Sequence, residues 1–330
     1  MDWGQIVSET LRAAVGQEAV VFALAAIGLN LHFGYTGLLN FGQAGFLAMG
    51  AYSTGICVEY LGWSLWAGVG VGVVAAIVLA LVLGLPTLRL RSDYLAIVTI
   101  AAAEIIRLIA RSVTFGHITG GSSGINGYAG GFYDLNPFGD GTYGFGPFQF
   151  DENRLWVLVV GWTLVGIASV VVFLLVRSPW GRVIKSIRED EDAARSLGKN
   201  VYAYKMQSLV VGGVIGSFGG MIFAIGNQSV QADNYGTATT FLALTAVILG
   251  GTSRVPGPIV GAMILWGVIS FTENVLRQAT TQGYIPTSII GGTQVGIVRF
   301  MLVGAALMAL PVFRPQGIFG SRREITLESR

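Results

Sequence analysis

The chain has 330 residues, of which 53% are hydrophobic and only 12% charged. That is about half the charged fraction of a soluble globular domain, which excludes the soluble class. A net charge of +2 excludes the basic footprint of a nucleic-acid-binding protein, and the single cysteine, Cys57, excludes an internal disulfide and a cysteine-based metal site.

The 48 glycines accompany too much apolar content for disorder, and they suit close helix–helix approach in lipid. The N-terminal MDWGQIVSETLRAAVGQE carries acidic residues without a basic n-region, so it is not read as a cleaved signal peptide. The predicted fold is all-α: a single polytopic transmembrane domain over 1–330, with room for eight to ten spans of about 20 residues each.

Nine spans are drawn. The first covers residues 13–31 and the second 37–58, where Gly42, Gly45, Gly50 and Gly55 mark either a tightly packed helix or a broken one. Packing is the reading adopted. The third covers 63–85, and the fourth, 94–113, carries Glu104, Arg107 and Arg111. Residues 114–153 form a polar, aromatic segment without Lys or Arg, in which YAGGFYDLNPFGDGTYGFGPFQF reads as an interfacial loop, with an external platform that helps dock a partner as the alternative. The fifth span covers 155–176, the sixth 206–225, the eighth 258–275 and the ninth 295–312. The seventh, 239–251, is short for a full crossing and is expected to be tilted or partly re-entrant. No internal repeat is legible.

Between the fifth and sixth spans lies RSPWGRVIKSIREDEDAARSLGKNVYAYK, residues 177–205, which holds seven of the twenty Lys and Arg residues. Placing it in the cytoplasm and alternating across nine spans puts Arg89, Arg91, those seven, Arg254 and the tail residues Arg314, Arg322, Arg323 and Arg330 on the same side. Arg12, Arg107, Arg111, Arg154, Arg277 and Arg299 dissent. The segment 114–153 then falls outside and the C-terminus inside.

Ser178 and Pro179 make a helix start, and Gly198 makes a stop. Between them Val183, Ile184, Ile187, Ala194 and Leu197 form one apolar stripe, leaving Lys185, Arg188, Glu191 and Arg195 to water. A short helix in water is marginal unless it packs on something, so a docked helix is expected rather than a solvated charged loop.

Asp192-Ala193-Ala194, three residues, then Gly198 resembles the EAA loop of bacterial ABC-importer permeases, with Asp in place of the usual Glu. The surrounding sequence resembles the LivM-type permeases of branched-chain amino acid importers. So do GYTGLLNFGQAGFLAMGAY (34–52), YLAIVTIAAAEIIRLIARSVTFGHITGGSSGI (94–125), GGTSRVPGPIVGA (250–262) and RPQGIFG (314–320).

The resemblance implies a multi-pass permease of a bacterial plasma membrane that is not itself an enzyme. It would work with a second homologous permease subunit, two ATP-binding cassette subunits and an extracytoplasmic substrate-binding protein. It implies that ATP is used by partner subunits, with Arg188, Glu189, Asp192, Ala193, Ala194, Leu197 and Gly198 forming the ATPase-coupling surface. The chain contains no P-loop motif of its own.

Glu104, Arg107 and Arg111 share one face of the fourth span. They are either a structural ion pair with Arg111 snorkelling outward, or part of the translocation path. Thr119, Gly120 and Gly121 are assigned to the same path, where a glycine turn is the alternative explanation. His32 and His117 lack ligand spacing, so no metal site is expected. The implied cargo is a branched-chain or similar hydrophobic amino acid. Urea or short amides, a stand-alone secondary transporter or channel, and a membrane scaffold or receptor subunit are the competing functions.

Overall fold

The computed structural model describes residues 2–88, 92–282, 296–299, 301, 304–305 and 317–319. Helix α1 (Trp3–Val15) opens on Asp2, whose carboxylate accepts from the Gln5 amide. Extended backbone at Gly16 separates it from α2 (Gln17–Leu29). Helix α2 widens into a π-helical stretch, Asn30–Thr36, that stops at left-handed Gly37. The first span predicted over 13–31 is therefore split at Gly16 and extended to Thr36. Every residue from Ala19 to Leu29 is buried. A helix apolar on all sides has no polar face to offer water, and α2 accordingly lies between α8, α11, α12 and α13.

Helix α3 runs from Gln43 to Glu59, so the span predicted from residue 37 starts six residues late. The preceding stretch is irregular yet buried at Leu38, Asn40 and Gly42, which is tolerated at depth only when its polar groups are satisfied inside the protein. They are. Asn40 accepts from the Gly42 amide (2.9 Å) and donates to Gln43 (3.1 Å), and Thr99 and Thr240 accept from the amides of Phe41 and Ala44.

Helices α4 (Leu65–Thr87) and α5 (Ser92–Arg111) follow. The next segment holds α6 (Gly116–Thr119), β1 (Ile125–Asn126), α7 (Gly130–Tyr133) and an antiparallel hairpin of β2 (Thr142–Phe145) and β3 (Phe148–Asp151). Helix α8 (Glu152–Arg177) leads to α9 (Pro179–Glu189), α10 (Glu191–Ser196) and α11 (Val201–Asn227). Strand β4 (Ser229–Val230) pairs with β1, a 3-10 turn spans Ala232–Tyr235, and α12 (Thr237–Gly250) and α13 (Pro256–Thr281) complete the described core.

Among the described residues five helical segments are long and apolar enough to cross a membrane: Trp3–Thr36, α4, α8, α11 and α13. The nine-span drawing is thus not reproduced as drawn. Helix α5 carries four charged residues (Asp93, Glu104, Arg107 and Arg111), α3 has 17 residues and α12 has 14. Most of the ninth predicted span falls outside the described residues, as do Arg89, Arg91 and the tail arginines.

Glycines set the tightest contacts. At the α2–α11 crossing a Cβ on Gly28 would strike the Gly212 carbonyl, and one on Gly50 of α3 would strike that of Ser217 in α11. Packing is what the glycines of α3 serve. Contacts also identify the two ends of the bundle. Helix α9 meets the π stretch and the α12–α13 turn at one end; the β1–β4 pair and the hairpin lie at the other, where Arg12 donates to the Pro147 carbonyl (2.7 Å).

A candidate docking surface and two charged clusters

Ser178 accepts from the Gly181 amide and Pro179 occupies the first turn, so α9 begins where its sequence predicts. It ends earlier than predicted. Asp190 leaves helical conformation, and its carboxylate accepts from the Ala193 amide (2.9 Å), capping a second helix. The expected single helix is therefore a pair, because an Asp satisfies orphan amides better as an N-cap than within a helix. Gly198, at φ +75°, stops α10.

Ile184, Ile187 and Ala194 face inward, and Ile187 and Ala194 close a small cluster with Val201 that Val183 and Tyr204 flank. Leu197 departs from the predicted stripe: it is 78% exposed. Glu189, Asp192, Ala193 and Gly198 are also exposed, so the pair presents Leu197 and the Ala193 methyl among carboxylates and a bare backbone corner.

Two cations of this segment, Lys205 and Arg188, are engaged inside, the second against its predicted exposure. Lys205 of α11 is buried and pairs with Glu191, tying α10 to the bundle. Arg195 brackets Glu191 (2.9 Å) and Asp192 (3.2 Å) at the surface, a solvent-screened contribution of about 0–1 kcal/mol.

Arg188 is turned inward. Its guanidinium donates to the Gly34 carbonyl (2.5 Å) and the Ser253 hydroxyl (2.5 Å), and that hydroxyl donates in turn to Gly34 (2.6 Å). Asn30 closes the cluster, accepting from the Ser253 amide (3.0 Å) and donating to the Arg254 carbonyl (2.9 Å). Ser253 holds φ +59°, a conformation unusual for a residue with a Cβ. One side chain of α9 thus grips both the π-helical end of α2 and the turn between α12 and α13. Gly34 and Ser253 fall in stretches that carry the family resemblance, but nothing local assigns them or Asn30 this role, which depends on three distant segments meeting.

At the opposite end Arg107 lies between two carboxylates. It forks onto Glu104 (2.5–3.1 Å) and donates to Asp233 (2.7 Å), which also takes Arg111 (3.2 Å). The ion pair read from sequence is present, but its second anchor, Asp233, is 126 residues away and was not legible. The Thr119–Gly121 turn is held by its own bonds: Thr119 donates to the Phe115 carbonyl (3.0 Å) and accepts from the Gly121 amide (3.3 Å). Gly120 and Gly121 take φ +73° and +57°, and a Cβ on Gly120 would strike the Gly124 carbonyl. No hydrogen bond or ion pair among the described residues joins this turn to Glu104 or Arg107. A double-mutant cycle of Arg107→Ala and Asp233→Ala is expected to show a coupling of about 0.5–3 kcal/mol in unfolding. Additive effects would show that the link between α5 and the 3-10 turn is dispensable.

His32 is wholly buried, bonded to Asn40 (3.1 Å) and the Leu209 carbonyl (3.2 Å), and His117 meets the Thr114 carbonyl. Among the described residues no group of three or more His, Cys, Asp or Glu is placed to hold a metal ion.

A bundle of membrane-length apolar helices, with an amphipathic helix pair fixed across one end, defines an integral membrane protein. The family model described as "Branched-chain amino acid transport system / permease component" matches residues 14–290. The chain belongs to this family of ABC-transporter permeases and is of the LivM type. It is 30% identical to the high-affinity branched-chain amino acid transport system permease protein LivM of Escherichia coli, covering 90% of this chain and 69% of that one. LivH of the same organism is 24% identical, covering 91% of each chain. The nucleoside ABC transporter permease protein NupC of Lactococcus lactis is 24% identical over 77% of this chain and 79% of its own. Among solved structures, PsaBC from Streptococcus pneumoniae in complex with Fab matches with a TM-score of 0.42 at 13% identity, covering 97% of this chain and 95% of that one.

Proposed function

We propose that the chain is the membrane-spanning permease subunit of an ATP-driven importer, translocating branched-chain or similar hydrophobic amino acids delivered by an extracytoplasmic binding protein. The observation that carries this reading is the α9–α10 pair. Its outer surface (Glu189, Asp192, Ala193, Leu197 and Gly198) is free for a partner, while Arg188 and Lys205 fasten its inner side to the bundle.

The pair lies in the cytoplasm with the C-terminus, in a bacterial plasma membrane, and docks on one of two ATP-binding cassette subunits; β1 to β3 lie outside, toward the binding protein. A second homologous permease completes the pathway. ATP is bound and hydrolysed by the cassette subunits. Glu104 and Arg107, with the Thr119–Gly121 turn, border the outer mouth, where Arg107 holds α5 against the 3-10 turn.

Reconstitution tests this. Proteoliposomes containing the chain, its permease partner and both cassette subunits are expected to accumulate leucine against a gradient only with ATP and the binding protein, with nucleosides as competitors because of the NupC relative. Uphill uptake by this chain alone would overturn the reading.

A further inference from the structure

Glu18 opens the first turn of α2 with its neighbour Ala19 already fully buried. Among the described residues no hydrogen bond or ion pair reaches its carboxylate. It lines a cavity of about 170 Å³ between α2, α11, α12 and α13, whose other walls include Phe22, Phe223, Asn234, Tyr235 and Trp266. Two polar atoms of those walls also lack partners among the described residues: the hydroxyl of Tyr235, a residue only 1% exposed, and the indole N–H of Trp266. Buried polar groups are ordinarily hydrogen-bonded, and a carboxylate facing aromatic rings costs free energy until something of opposite charge meets it.

The walls select among candidates. Divalent cations of the calcium class take six to eight oxygen ligands, and one carboxylate cannot supply them. An ammonium group is satisfied by one carboxylate and is attracted by aromatic faces. The unpaired Tyr235 hydroxyl and Trp266 indole N–H bring the complementary donors, since an anion satisfies both. Phe22 and Phe223 supply an apolar lining.

We propose that this cavity is a binding chamber for a free α-amino acid within the permease subunit, with Glu18 taking the ammonium group, the Tyr235 hydroxyl and Trp266 N–H the carboxylate, and Phe22 and Phe223 an apolar side chain. The proposal deepens the importer reading and rests on it. A second cavity, of about 400 Å³, shares Glu18 and Trp266 with the chamber and is walled by Arg12, Gln149, Arg154 and Asn227, all toward the end opposite α9–α10. Charges of both signs in that vestibule suit a zwitterion. The same ammonium-and-acid chemistry is carried by the headgroup of an ethanolamine phospholipid, so the test separates the two sources.

The assembled complex, in nanodiscs of phosphatidylcholine and without binding protein, is titrated with L-leucine and with 4-methylpentanoate, which is leucine without its amino group. Saturable binding of leucine, well above that of the analogue, is expected. In Glu18→Gln the leucine affinity is expected to fall about tenfold or more while the analogue's stays, so that the preference collapses. A merely structural defect would weaken both alike, and that outcome overturns the proposal. So does unchanged leucine affinity in Glu18→Gln. So does absence of leucine binding in a complex that still accumulates leucine when the binding protein supplies it, which leaves the importer reading intact. Ethanolamine phospholipid that co-purifies with the wild type but not with Glu18→Gln, with leucine displacing none of it, assigns the chamber to lipid and also overturns it. A complete assembly that accumulates no amino acid at all fails the importer reading instead.

Discussion

Replacing Leu197 by Asp is expected to abolish most ATP-driven uptake by the proposed importer while leaving the chain folded and paired with the proposed second permease. Leu197 is 78% exposed at the end of α10, so its loss removes little from the isolated subunit, within about 0.5 kcal/mol. Against a cassette subunit the balance reverses. Burying a leucine side chain contributes about 1.5–3 kcal/mol, and a carboxylate in its place would be desolvated without a partner, beside the exposed Glu189 and Asp192. Docking should weaken by roughly two orders of magnitude for a loss near 3 kcal/mol. Co-purification of the cassette subunits and uptake-coupled ATP hydrolysis read the effect. Undiminished co-purification would show that the partner sits elsewhere. Gly198→Arg tests the neighbouring corner: a Cβ there has open space, so any loss comes from the φ of +75°, about 1–2 kcal/mol, and from the bulk presented to the partner.

The largest loss of stability is expected from Gly212→Val. A Cβ at this position would run into His32 and lie 2.6 Å from the Gly28 carbonyl, at the closest approach of α2 and α11. Neither obstacle can yield cheaply. One is backbone of a helix buried on all sides, and the other is an imidazole whose nitrogens are committed to Asn40 and the Leu209 carbonyl. Overpacking typically costs about 1–3 kcal/mol, and separating the helices also loosens the Gln43 bond to the Gly212 carbonyl. Monodisperse yield after detergent extraction should collapse. Gly70→Val is the control, since a Cβ on Gly70 meets nothing within 4 Å on the outside of α4. Equal yields from the two variants would refute the close-contact account.

What was legible in the chain depended on whether the information was local. The spans drawn over 63–85 and 155–176 lie within α4 (Leu65–Thr87) and α8 (Glu152–Arg177) to within a few residues, because lipid-facing helices are continuous apolar runs. The start of α9 and its stop at Gly198 were legible through caps, which are one-residue signals. The break at Asp190 was not. In an unbroken run of Glu and Asp, nothing local says which carboxylate leaves the helix to cap the next one.

Arg188 reads as a water-facing member of an amphipathic helix, and only the meeting of Gly34 with Ser253 turns it inward. Glu18 escaped notice for the opposite reason. It precedes a greasy stretch and looks like an ordinary first-turn carboxylate, whereas its isolation among rings from α11, the 3-10 turn and α13 exists only in three dimensions. The resemblance compensated for none of these, since it rests on motifs and not on which side chains meet.

The shortness of α12 bears on how the protein is made. Fourteen residues rise about 21 Å, well short of a hydrocarbon layer of roughly 30 Å. Released alone into lipid, the helix would leave the polar backbone at its Gly236 start stranded in oil. It is shielded only where α2, α3 and α13 surround it. During synthesis α12 therefore cannot partition as an independent unit. It is expected to enter with α13 as a hairpin through the Gly250–Gly257 contact, where a Cβ on either residue would meet the other's turn. The sequence order of these two elements is then also a schedule. A linker that delayed α13 would strand its predecessor, and the price would appear as degraded nascent chains, not as a slower transporter.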